Sequence, residues 1–189
     1  MALSDVALCS RALLKIGAAP IHGFDDATTE AEVAAALYGP ARDALLSAYP
    51  WSFATGQAAL NRLVDPPLAD YAYAYQLPET LLRVLSAGDG PTSRGLDYRI
   101  SERRLHAHAP AVVVAYIFRP AEADMPPFFD QALIARLAAD FCIPLTESTS
   151  RADSLARLAE QELRRAKLID AQQDTPPRFE DFSLIDARG

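Results

Sequence analysis

Apolar positions in the first 50 residues recur at spacings of three and four, shorten to a period of two from Trp51, and lengthen again beyond Pro127. The first segment predicts a helix over 4–17. Ser4 is its N-cap, Val6, Cys9, Leu13 and Ile16 form its apolar stripe, and Gly17 ends it. A turn-rich loop over 18–27 leads to a second predicted helix over 30–49, capped by Thr29 with Glu32 reaching back. Val33, Leu37, Ala44, Leu45 and Ala48 carry its stripe, and Gly39-Pro40 is expected to kink it rather than break it.

Strands are predicted at Phe53–Leu60, Tyr71–Leu77, Leu81–Ser86, Tyr98–Ser101, Arg104–His108 and Val112–Phe118, with turns at "VDPPLAD" and "GDGPTSRG". Val112–Ile117 is the most β-branched stretch and is expected at the centre of the sheet. Helical spacing then returns. One helix is expected over 130–143, capped by Asp130 and ended by Pro144, and another over 151–169, starting at Ser150 with Asp153 three residues on. Glu160 and Arg164 make an i,i+4 pair on it. These elements predict an α+β fold. N- and C-terminal helices form a bundle, a mainly antiparallel sheet is inserted at about 53–119, and the whole makes a single domain over 1–170. Residues 171–189 break pattern and read as an extended C-terminal arm.

Charge changes the picture in one direction. A formal net charge of -7 and a pI near 4.9 argue against a surface built to grip a phosphate backbone. The two cysteines, Cys9 and Cys142, lie in apolar helical runs and read as reduced core thiols rather than a disulfide framework. The N-terminal stretch mixes acid and base into its apolar pattern, and the longest uncharged apolar run, Ala109–Phe118, is too short for a spanning helix. No membrane association or export signal is expected.

Candidate chemistry is sparse. His106 and His108, two apart on a predicted strand, point to one face and would suit a metal, yet no further ligand stands at a recognisable spacing. They are read as cross-strand surface histidines. Nucleophile-elbow, phosphate-loop and dinucleotide patterns are absent. No catalytic residue, cofactor or enzymatic activity is expected. The stretch "YAYAYQLP" places Tyr71, Tyr73 and Tyr75 on one strand face and Ala72 and Ala74 on the other. Base stacking would want cations among the rings. Asp65, Asp70 and Glu79 flank them instead, so packing within or between subunits is the expectation.

Three stretches carry a resemblance: "ALCSRALLKIGAAPIHGFDD", "EAEVAAALYGPARDALLSAYPWSFA" and "YAYQLPETLLRVL". Together they cover roughly residues 3–85 and resemble the head–tail connector (adaptor) proteins of tailed phages, of the tail tubular protein A type. "YPWSFA" (49–54) and "YAYQLP" (73–78) are the most specific parts. The resemblance implies a homo-oligomeric ring of about twelve subunits beneath the portal protein. The ring would meet a stopper or tail protein below and pass genomic DNA through its channel without sequence-specific binding. It implies a place at the neck of a phage, prophage or gene-transfer particle, reached from the host cytoplasm during assembly.

The family brings no catalytic residues, and Trp51 and Phe53 are assigned to a structural joint where the second helix turns into the sheet. An acidic balance suits a channel that does not hold back a moving polyanion, with lumen acids expected from 30–49 or 151–169. Phe179, Phe182, Leu184 and Ile185 are apolar anchors in the polar arm and are expected to order on the portal. Three alternatives stay open. One is another neck or tail protein, such as a stopper or tail terminator. The second is a nucleic-acid module using the tyrosine face with Arg99, Arg103, Arg104, Arg164 and Arg165. The third is a metal-dependent enzyme using His106 and His108.

Overall fold

A computed structural model describes residues 3–90 and 93–173. Four helices, α1 (Asp5–Ile16), α2 (Thr29–Ser47), α3 (Pro127–Thr146) and α4 (Thr149–Asp170), enclose an apolar core. Between α2 and α3 the chain forms seven strands: β1 (Thr55–Ala59), β2 (Asn61–Arg62), β3 (Tyr73–Gln76), β4 (Leu81–Gly88), β5 (Tyr98–Ser101), β6 (Arg104–Ala107) and β7 (Val113–Phe118). The fold is α+β, and every strand pairing is antiparallel.

The inserted strands make two sheets where one was expected: β1-β7-β4 and β2-β3-β6-β5. The chain passes from one to the other at Leu60, whose amide still donates to the Val112 carbonyl at 2.9 Å. β7 is central in the three-stranded sheet, and its alternation serves two cores at once. Ile117 joins the helical core, while Val114 joins a second core shared with Tyr75, Leu77, Leu105 and Ala107 of the other sheet. β4 does the same through irregular pairing between Leu81/Arg83 and Val84/Ser86. Leu82 and Leu85 thereby pack on the helices, and Leu81, Val84 and Ala87 on the four-stranded sheet. The result is three layers: helices, a three-stranded sheet and a four-stranded sheet.

Helix α3 is the spine of the bundle. Phe129, Leu133, Ile134, Leu137, Phe141 and Cys142 are buried around most of its circumference, as expected for a helix enclosed by neighbours. The first helix ends as its sequence requires. The Ser4 hydroxyl accepts from the Ala7 amide at 3.2 Å, and Gly17 closes the helix at φ 81°, a conformation that costs a glycine little. Both cysteines are buried free thiols, and burial, with Asp5 adding, pushes Cys9 up to about 12.

Four boundaries differ from expectation. The second helix is capped by Thr28 rather than Thr29, its hydroxyl accepting from the Ala31 amide at 3.2 Å. The same helix runs unbroken through Pro40; the carbonyl that loses its donor belongs to Ala36, an exposed residue. Asp130 does not cap the third helix, which begins at Pro127 with Pro126 as N-cap and no capping side chain. Nor does Pro144 end it. The Thr146 hydroxyl donates to the Cys142 carbonyl at 2.6 Å, the Glu147 amide donates to Ile143, and Glu147 at φ 54° makes the stop. Helix α4 starts at Thr149 from Ser148, without the side-chain cap expected of Ser150. Among the described residues no helix is long and apolar enough to cross a membrane.

Candidate interaction surfaces

The joint between helices and sheets is aromatic. Trp51 follows the end of α2, is fully buried, and donates its indole N–H to the Leu45 carbonyl at 3.1 Å. Tyr49, Phe53 and Phe129 meet its ring at centroid distances of 5.0, 6.0 and 5.2 Å, and Phe128 lies at 6.4 Å. Phe53 is half-buried in the short 3-10 turn that enters β1 and contacts Phe129 edge-on at 5.1 Å. Trp51 is thus enclosed where the helices meet the sheet, with Phe53 half-buried beside it.

Polar clamps fix this joint from two sides. Asp170, buried at the end of α4, accepts from the Ser52 amide at 3.0 Å and the Ser52 hydroxyl at 2.7 Å. On the other side, Arg42 of α2 donates to Glu122 at 2.7 Å and to Asp43 at 3.1 Å, while Tyr38 donates to Glu122 at 3.0 Å and Arg119 to Asp43 at 3.0 Å. Burial would raise the Asp43 carboxyl, but the hydrogen bonds from Arg119 and Arg42 outweigh it and hold the pKa below the ordinary value. Glu122 is lowered too, burial being overcome by its own backbone amide and by Tyr38 and Arg42. The cluster's charges are internally matched, which suits a strut rather than an acid–base centre.

The three tyrosines separate. Tyr75 is fully buried in the second core and donates its hydroxyl to the Ala109 carbonyl. Tyr73, on the same sheet face, is half-buried, with the Arg62 guanidinium 5.1 Å from its ring centroid. Tyr71 departs from the expected alternation because it precedes β3, and its ring stands on the opposite face. There it lies 5.2 Å from His108 and 6.4 Å from His106, with Arg99 at 5.7 Å. Arg99 pairs with Asp70 at 2.9 Å. Ala74 is buried but Ala72 is exposed. Among the described residues no group of three or more His, Cys, Asp or Glu side chains is placed to hold a metal ion.

Arg103 and Arg104 lie at the β5–β6 turn, whereas Arg164 and Arg165 lie on α4, so the arginines named for a nucleic-acid surface belong to separate elements. The arm residues Phe179, Phe182, Leu184 and Ile185 lie outside the described residues.

Two surfaces went unremarked in the sequence. The loop joining β2 to β3 holds Val64 and Leu68 essentially in solvent, Val64 at 97% exposure. A groove of about 330 Å³ opens among α2, α3 and α4, lined by Leu45, Ala139, Ala152, Ala156 and Ala159 and by the exposed Ile143. Alternation marks neither, since the loop has no period and the alanines that hollow the groove also read as ordinary helix formers. No family model matches the chain, and no curated protein matches it.

Proposed function

We propose that this chain is a structural virion protein, a head–tail connector that assembles into a homo-oligomeric ring of about twelve copies. The ring sits under the portal at the neck of the particle, meets a stopper or tail protein on its other side, and lets genomic DNA pass without sequence-specific grip. The observation that carries this reading is the likeness of "YPWSFA" (49–54) and "YAYQLP" (73–78) to connector proteins. Its physical support is where those residues lie: Trp51 in the aromatic joint between helices and sheets, Tyr75 in the core between the two sheets. A part that holds two assemblies together needs stiff joints between its layers, and the matched charges around Arg42 and the hydrogen bonds from Ser52 to Asp170 serve the same end. The acidic balance of the chain favours passage of a polyanion over its retention. The reading assigns no catalysis and no cofactor.

The arm supplies the test. Removing residues 174–189 is expected to leave a folded chain whose particles accumulate as unjoined heads and tails, because the apolar anchors Phe179, Phe182, Leu184 and Ile185 no longer reach the portal. Complete particles at normal yield from the truncated chain would overturn it. A second reading draws on the Tyr71, His106, His108 and Arg99 cluster, whose neighbouring tilted rings and guanidinium suit single-stranded nucleic acid. It requires salt-dependent binding by the isolated chain, which the connector reading does not.

A further inference from the structure

Unlike α1 and α2, helix α3 starts without a capping side chain. Its first bonded amides, those of Phe129 at 2.9 Å and Asp130 at 3.1 Å, converge on a single acceptor, the Pro126 carbonyl. The Asp130 side chain is buried at 6% exposure, and its Oδ1 meets no donor among the described residues. Of the charged groups on the elements packed around α3, the one that acts on this carboxyl is the guanidinium of Arg11 on α1, an exposed side chain. A carboxylate so placed has given up its hydration and gained little in return.

The two residues before Asp130 carry rings of the aromatic joint. Phe128 and Phe129 meet Trp51 at centroid distances of 6.4 and 5.2 Å, and Phe53 at 6.3 and 5.1 Å. Turning this first turn outward returns the carboxyl to water and draws both rings away from Trp51. The other sides of the joint are tied by polar bonds, the Trp51 indole to Leu45 and the Ser52 amide and hydroxyl to Asp170. The α3 side is therefore the one that yields first.

We infer that the first turn of α3 is a proton-operated latch on the aromatic joint: Asp130 closes it when protonated and loosens it when charged. The joint is closed in most molecules at either pH; the charge changes how often its α3 side lets go. Burial holds the Asp130 proton up to about pH 6 in the closed form, whereas the opened form releases it near the ordinary 3.8. Opening is thus favoured about tenfold more for each pH unit between those values and gains nothing further above 6. In a ring copy the latch lets the helical layer adjust against the sheets as neighbours fit. That use rests on the connector reading, whereas the latch itself is a property of a single copy.

Amide hydrogen exchange on the full-length chain at pH 5 and pH 7.5, corrected for the intrinsic effect of pH on exchange, tests it. Protection of Phe129, Asp130 and Gln131 is expected to fall about tenfold at the higher pH, while Ala159 and Ala166 of α4 keep theirs. Trp51 is the chain's one tryptophan, so its fluorescence reports the joint directly. Quenching by acrylamide should be stronger at pH 7.5 than at pH 5. Asp130→Asn, which keeps the shape without the charge, should hold both readouts at their pH 5 level throughout. An equal loss of protection in α3 and α4 would overturn the latch, because the charge would then act only through global unfolding. Readouts that ignore pH, or a pH dependence that survives in Asp130→Asn, would overturn it as well. Rings that form equally well from the wild-type chain and from Asp130→Asn would remove its use in assembly and leave both the latch and the connector reading standing.

Discussion

Asp130 lies in the first turn of α3, buried among apolar neighbours, and its Oδ1 has no hydrogen-bond partner among the described residues. Burial raises its pKa to about 6 from an ordinary 3.8, although Arg11 pulls the other way. A carboxyl held above its unfolded value favours folding fully below about pH 4, and that contribution is lost as pH rises through 6. Asp130→Asn keeps the shape and removes the charge. It should raise unfolding stability at pH 7.5 by about 1–3 kcal/mol, each pKa unit being about 1.4 kcal/mol, with the gain vanishing near pH 4. Urea titrations of both proteins at the two pH values check this, and an equal gain at both would show that the buried charge is not the cause. The residue contrasts with Trp51, whose one polar atom is satisfied by Leu45 and whose ring is enclosed on all sides.

Among the elements, the end of α4 is tied to the start of the sheets by one side chain. Asp170→Ala removes the acceptor for both the Ser52 amide and the Ser52 hydroxyl and should cost about 1.5–3 kcal/mol, whereas Ser52→Ala loses only the hydroxyl's bond and should cost about 1 kcal/mol. Chemical denaturation of the two variants distinguishes them; equal losses would mean that the amide bond contributes nothing. This tie crosses 118 positions of sequence, and nothing local announces it. What is local was legible: Ser4 and Gly17 bound their helix through atoms within four residues of each other. Thr28 and Thr29 can both cap, and only the packing of Ala31 and Ala34 into the core selects the first. Pro144 reads as a stop because proline lacks a donor, yet the Thr146 hydroxyl and Glu147 amide satisfy nearby carbonyls of the last turn. Alternation located the strands but not their division into two sheets, because β4 changes face at its irregularities and β1 hands over to β2 at Leu60. Of the tyrosines, Tyr73 and Tyr75 obey the alternation and Tyr71 escapes it by standing outside the strand.

At the scale of the whole molecule, two cores share a three-stranded sheet, so force applied to the helices passes through Ile117 and Val114 to the outer sheet without crossing a flexible linker. Such a body suits a load-bearing part that works in many copies. Val64 and Leu68 stand exposed on the outer sheet's loop and a groove opens among α2, α3 and α4, which makes assembly rather than turnover the function to test first. Electron microscopy of the full-length chain over a concentration series addresses this directly. Closed rings with an open axial channel, about twelve copies around, are expected to populate as concentration rises. Single copies at every concentration, or pairs that meet through the same patch on each, would contradict the ring and with it the connector.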